Sequence, residues 1–86
     1  MDTTPPVPAF TLYGTSACHL CELAEEMLLA LQTQESGLVF SKLDISESDE
    51  LFARYGVRIP VLADAAGREL DWPFSGSELR AFCAGR

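Results

Sequence analysis

No lysine or arginine occurs before Lys42. Secretory signals and organelle presequences need basic residues near their start, so no such segment is expected. No apolar run approaches the roughly 18 residues required to cross a bilayer, and a membrane is not an expected partner. Cysteine is scarce. Three residues do not make a disulfide scaffold, and in a reducing compartment such thiols are catalytic, metal-binding or buried. Bases are also few overall: six Lys and Arg stand against thirteen Asp and Glu, for a net charge of −7. Residues 1–41 hold five acids and no base. A field of that sign repels phosphate backbones, so nucleic acid is not an expected partner. Together these absences predict a soluble, cytoplasmic protein.

What remains is the composition of one globular domain. The chain has 86 residues, of which 48% are hydrophobic and 22% charged, enough for a single modest core. Residues 1–8 (MDTTPPVP) hold three of the five prolines and no period, and read as a flexible N-terminal tail ahead of a single domain at 9–86. Residues 9–13 (AFTLY) predict a short strand ended by Gly14, and residues 14–17 a loop. Leu20, Leu23, Ala24, Met27, Leu28 and Leu31 recur at helical spacing and predict a long helix with one apolar face, ending near 35–36 before Gly37. Residues 38–45 (LVFSKLDI) predict a second strand, and 46–55 a short helix with Leu51, Phe52 and Tyr55 toward the core. Residues 57–63, interrupted by Pro60, and 68–72 predict two further extended segments joined by a turn at 65–67. Ser75 and Glu78 have capping-box spacing ahead of a last helix bearing Leu79, Phe82 and Cys83. The order β-α-β-α-β-β-α predicts an α/β fold: a four-stranded mixed sheet flanked by three helices, with a parallel crossover between the first two strands.

Cys18-His19-Leu20-Cys21 follows the first strand and opens the first helix. The start of a helix presents unsatisfied N–H groups and the positive end of the dipole, and both stabilise a thiolate. Residues three apart lie on one helix face, so Cys21 can reach the sulfur of Cys18. Cys21 continues into the buried line of Ala24, Leu28 and Leu31, whereas Cys18 is expected at the exposed tip. That asymmetry makes Cys18 the candidate nucleophile toward a substrate disulfide and Cys21 the resolving cysteine. His19 either tunes the pair, by placing an imidazolium near the thiolate against the opposing Glu22, or is an exposed polar residue. Zinc would require about four ligands, and only His19 and Cys83 remain beside the pair, so no metal site is expected.

With these elements in place, the chain resembles the glutaredoxin-like branch of the thioredoxin superfamily over residues 9–84. The resemblance rests on 10–28 (FTLYGTSACHLCELAEEML), 43–62 (LDISESDELFARYGVRIPVL) and the helix after Ser75. It implies a thioredoxin-like fold and thiol–disulfide oxidoreductase activity. It also implies a cis peptide at Pro60 beside Cys18, and recognition of an extended substrate backbone by the N–H and C=O of Ile59. Glutathione is the small-molecule ligand the family implies, with Arg58 able to supply one cation. The chain departs from the family's glutathione site at two places: Thr15 stands where a lysine is usual, and Asp71-Trp72 where two glycines are usual. Trp72 lines a groove beside the disulfide or packs in the core, and Cys83 reads as a buried, inert thiol. The expected function is therefore a small dithiol oxidoreductase contributing to cytoplasmic redox homeostasis. It would act as a monomer on a disulfide-containing protein or small-molecule thiol, with a thiol reductant and no required cofactor. The alternatives are an iron–sulfur-binding or a non-enzymatic protein-docking member of the same fold.

Overall fold

The β-branched and aromatic run AFTLYG forms β1 (Ala9–Gly14), and period-two alternation buries Phe10 and Leu12 on one face of it. The computed structural model describes residues 9–35 and 37–85; the expected N-terminal tail at 1–8 lies outside the described residues. After β1 come α1 (His19–Gln32) and β2 (Val39–Asp44), which lies parallel to β1 in the register Ala9↔Val39 through Gly14↔Asp44. A 3-10 turn (Ile45–Glu47) leads to α2 (Asp49–Tyr55). β3 (Val61–Asp64) and β4 (Glu69–Asp71) form an antiparallel hairpin, and α3 (Gly76–Cys83) ends the fold. The sheet order is β2-β1-β3-β4, with β3 antiparallel to β1. Among the described residues this is the α/β architecture expected: four strands in a mixed sheet and three α-helices.

Alternation along the central strands separates two clusters. Phe10, Leu12 and Leu62 join Ala24, Leu28 and Leu31 of α1 and Leu79 and Phe82 of α3 in the main core. The intervening residues Tyr13 and Val61 pack with Ile45, Leu51 and Tyr55 in the other. Thus α1 and α3 share one sheet face and α2 covers part of the other. Val61, Leu62 and Ala63 are buried in succession, as a strand covered on both faces requires.

Local signals account for the element ends. The Thr33 hydroxyl donates to the Ala30 carbonyl at 2.7 Å, and the N–H groups of Gln34 and Glu35 fold back on Leu31, so α1 stops at Gln32 rather than near 35–36. The single helix expected over 46–55 is instead two pieces. Ser48 is extended between them, and its hydroxyl accepts the Leu51 N–H at 3.2 Å as the N-cap of α2. Asp64 accepts from the N–H groups of Ala66 and Arg68, and Gly67 adopts φ +93 to close the hairpin. Ser75 and Glu78 form the reciprocal capping box at the start of α3.

Two apolar residues expected to face the core do not. Leu20 is 44% exposed, because the main core takes Ala24, Leu28 and Leu31 from α1 and the first turn lies ahead of it. Phe52 is 56% exposed: α2 directs Leu51 and Tyr55, four apart, inward and turns Phe52 about 100° away. No helix among the described residues is long and apolar enough to cross a membrane.

Candidate redox site

Two elements bring the cysteines together. Where β1 ends at Gly14 the chain turns through Thr15–Ala17 and enters α1, with Cys18 as its N-cap in an extended conformation. Cys18 thus stands one residue ahead of the first helical turn and is half-buried, less exposed than the tip position expected. Cys21 is 7% exposed and lies on the buried side of α1. The two are joined by a disulfide with Cα atoms 5.2 Å apart. The Cys21 backbone N–H, one of the donors a helix start leaves unsatisfied, points at Cys18 Sγ at 3.0 Å. His19 lies on the exposed surface of the turn with Nδ1 3.7 Å from the Glu22 carboxylate.

Gly14 is a site residue that sequence reasoning treated only as a strand end. A Cβ built on it would stand 2.7 Å from Cys21 Sγ and 3.1 Å from Cys21 Cβ. The contact joins residues seven apart across a loop, and no local pattern signals it.

The Ile59–Pro60 peptide is cis, as is Trp72–Pro73. Pro60 is buried, and one step beyond the pair Tyr13↔Val61 the register sets it opposite Gly14, at the same end of the sheet as the disulfide. The Pro60 carbonyl accepts the Trp72 N–H at 3.3 Å. The Ile59 N–H donates to the Tyr55 carbonyl at 3.1 Å, so the donor expected to face a substrate backbone is engaged inside the chain by the end of α2. Trp72 is half-buried, packed on the main core and edge-on to Phe74 with ring centroids 5.0 Å apart. Much of its surface is therefore core packing.

Arg58 is occupied as well. Its guanidinium donates to Glu69 at 2.7 Å and Asp71 at 2.8 Å, and lies 5.3 Å from the centroid of the Tyr55 ring. Tyr55 in turn stacks on Tyr13 and donates its hydroxyl to Glu69 at 2.7 Å. Burial first, then this hydrogen bond, pushes the Tyr55 phenol up to about 12. The Glu69 carboxyl is held below its ordinary value, first by the Arg58 hydrogen bond and then by that of Tyr55. A carboxyl lowered on folding contributes stability that is complete above its unfolded value, near 4.5, and is lost as pH falls through the folded value. Thermal melts across acid pH are therefore expected to show the wild type losing stability below about 4.5 more steeply than Glu69→Gln.

A groove of about 480 Å³ opens beside Cys21 between α1 and β2. Glu22, Glu25, Asp44 and Glu47 line it together with Lys42, whose ammonium pairs with Glu25 at 3.3 Å. The third cysteine, Cys83, is half-buried on α3, and burial, then Glu35, pushes its thiol up to about 11.

The fold and the cysteine pair define a thioredoxin-fold protein, and comparison with known proteins gives the family. Residues 9–83 match the glutaredoxin-like domain (DUF836), and the chain belongs to that family. The X-ray structure of a structural genomics target protein from X. campestris is 40% identical with a TM-score of 0.76, covering 90% of this chain and 97% of that one. The solution structure of a protein from Nitrosomonas europaea is 26% identical with a TM-score of 0.75, covering 95% and 98%. The oxidised thioredoxin of Plasmodium falciparum shares the fold at 14% identity and a TM-score of 0.65, covering 92% of this chain and 80% of that one. No curated protein matches the chain by sequence.

Proposed function

We propose that this chain is a dithiol thiol–disulfide oxidoreductase with Cys18 as nucleophile and Cys21 as resolving cysteine. The observation that carries this reading is the Cys21 N–H aimed at Cys18 Sγ from the start of α1, in a pair whose outer member is the more exposed. In the reduced protein that donor and the helix dipole favour the Cys18 thiolate. The thiolate attacks one sulfur of a substrate disulfide; the other substrate sulfur leaves as a thiolate, and Cys18 is held in a mixed disulfide. Cys21, deprotonated, then attacks Cys18 Sγ. The second substrate sulfur leaves, and the Cys18–Cys21 disulfide forms. Two electrons have passed from the pair to the substrate, and an external thiol reductant returns them. A reducing compartment such as the cytoplasm suits this cycle.

A protein disulfide is the substrate this reading favours, with the part-exposed Ile59 and Trp72 on either side of the buried Pro60 as the residues that would meet it. The surroundings do not suit glutathione, which is anionic. Arg58 is neutralised by Glu69 and Asp71, and the groove beside Cys21 carries four carboxylates with Lys42 already paired. No step of this cycle requires a cofactor, and a monomer suffices for it.

The test is reduction of insulin disulfides with dithiothreitol as the reductant. The wild type is expected to accelerate it, and pre-reduced Cys21→Ser, mixed with insulin after dithiothreitol is removed, to accumulate a mixed disulfide visible by mass. A wild type no faster than dithiothreitol alone sinks the proposal.

A further inference from the structure

We infer that Gly14 is a positioning residue: it leaves the space in which the Cys21 sulfur stands and so sets the stability of the Cys18–Cys21 disulfide relative to the dithiol. This inference rests on the redox reading above. The backbone of Gly14 is not among those with positive φ, which are Gly67 and Gly85, so conformational freedom is not what calls for glycine here. Space is. At Gly37, Gly67, Gly76 and Gly85 an added Cβ meets nothing within 4 Å, and at Gly56 it meets the carbonyl of its own helix. At Gly14 it meets Cys21 Sγ at 2.7 Å, well inside van der Waals contact.

The two redox states answer that clash differently. In the disulfide, Cys21 Sγ is tied to Cys18 and cannot turn away. In the dithiol the tie is gone, and Sγ can move to another staggered rotamer about the Cα–Cβ bond. The contact to Cys21 Cβ at 3.1 Å exists in both states and largely cancels between them. A methyl group at position 14 therefore penalises the disulfide more than the dithiol. The exchange concerned is balanced. An external dithiol gives two electrons and two protons to the protein disulfide, which becomes two thiols, while the external dithiol becomes a disulfide.

The experiment equilibrates the full chain in buffers of reduced and oxidised dithiothreitol, alkylates free thiols and reads the oxidised fraction by mass. Gly14→Ala is expected to shift the equilibrium toward the dithiol by at least about tenfold, equivalent to a potential about 30 mV less negative. A potential equal to or more negative than that of the wild type overturns the inference. If Gly14→Ala folds only when reduced, the oxidised form is penalised as inferred; a Gly14→Ala chain that does not fold even when reduced also overturns the inference, because the dithiol is the state expected to make room for the methyl group. The readout is independent of catalysis. A wild type that fails to reduce insulin while Gly14→Ala shows the shift counts against the proposed function alone. Catalysis by the wild type with an unshifted Gly14→Ala counts against this inference alone.

Discussion

Cys18→Ser is expected to lower the rate of insulin reduction by at least about a thousandfold, to the level of the reductant alone. An alcohol at this position is not ionised near neutral pH and is a poor leaving group from sulfur, so both halves of the cycle lose their chemistry. The same substitution is mild for the fold. Serine is a favoured N-cap, and its oxygen can accept the Cys21 N–H that Cys18 Sγ accepts now. Melting of the reduced proteins should differ by no more than about 0.5 kcal/mol, which separates loss of the nucleophile from loss of structure. Residual activity well above the reductant would move the chemistry to another thiol. Cys83 is a poor candidate, since burial pushes it up to about 11 and leaves little thiolate at neutral pH.

The largest effect on stability is expected at Leu28. Its side chain is fully buried in the middle of α1, in the core cluster that also holds Phe10, Leu12 and, from α3, Leu79 and Phe82. Leu28→Ala removes about three buried carbons and leaves a cavity in a close-packed core, at a cost of about 2–5 kcal/mol. For a small domain with a total of roughly 5–15 kcal/mol, that is a large fraction. The neighbouring Leu29 offers an internal control. It is 48% exposed, and Leu29→Ala should change stability by about 0.5 kcal/mol or less. Urea unfolding of the two variants checks both figures. Equal effects would mean that α1 does not present the face described. Because α1 also holds the N-cap cysteine, loosening it at Leu28 is expected to weaken the placement of the pair.

Features set by neighbours in the chain, and the sheet topology that the order of elements implies, were legible in the sequence; side-chain contacts that span the fold were not. The stripe of Ala24, Leu28 and Leu31, the capping box of Ser75 and Glu78, and the pairing of Cys18 with Cys21 each depend on residues three or four apart. Helical periodicity carries such information directly. The margins of those patterns were less secure. Leu20 and Phe52 fit an apolar repeat, yet whether a position at the edge of a stripe is covered depends on where the opposing layer ends. The engagement of Arg58 by Glu69 and Asp71 joins residues more than ten apart across the β3–β4 hairpin. From sequence alone Arg58 was an available cation; in the fold it is neutralised. Gly14 reads as punctuation after a strand, and only the return of α1 over that strand end gives its missing side chain a purpose.

Trp72 is the sole indole of the chain, half-buried against Phe74, and its own amide binds the carbonyl of Pro60. Emission from this single chromophore therefore reports on one locality: the hairpin end where Pro60 faces Gly14. Circular dichroism, dominated by the helices, averages over the whole molecule. Comparing the two signals during denaturation would reveal whether this corner opens separately from the remainder, with no extrinsic label attached to a thiol.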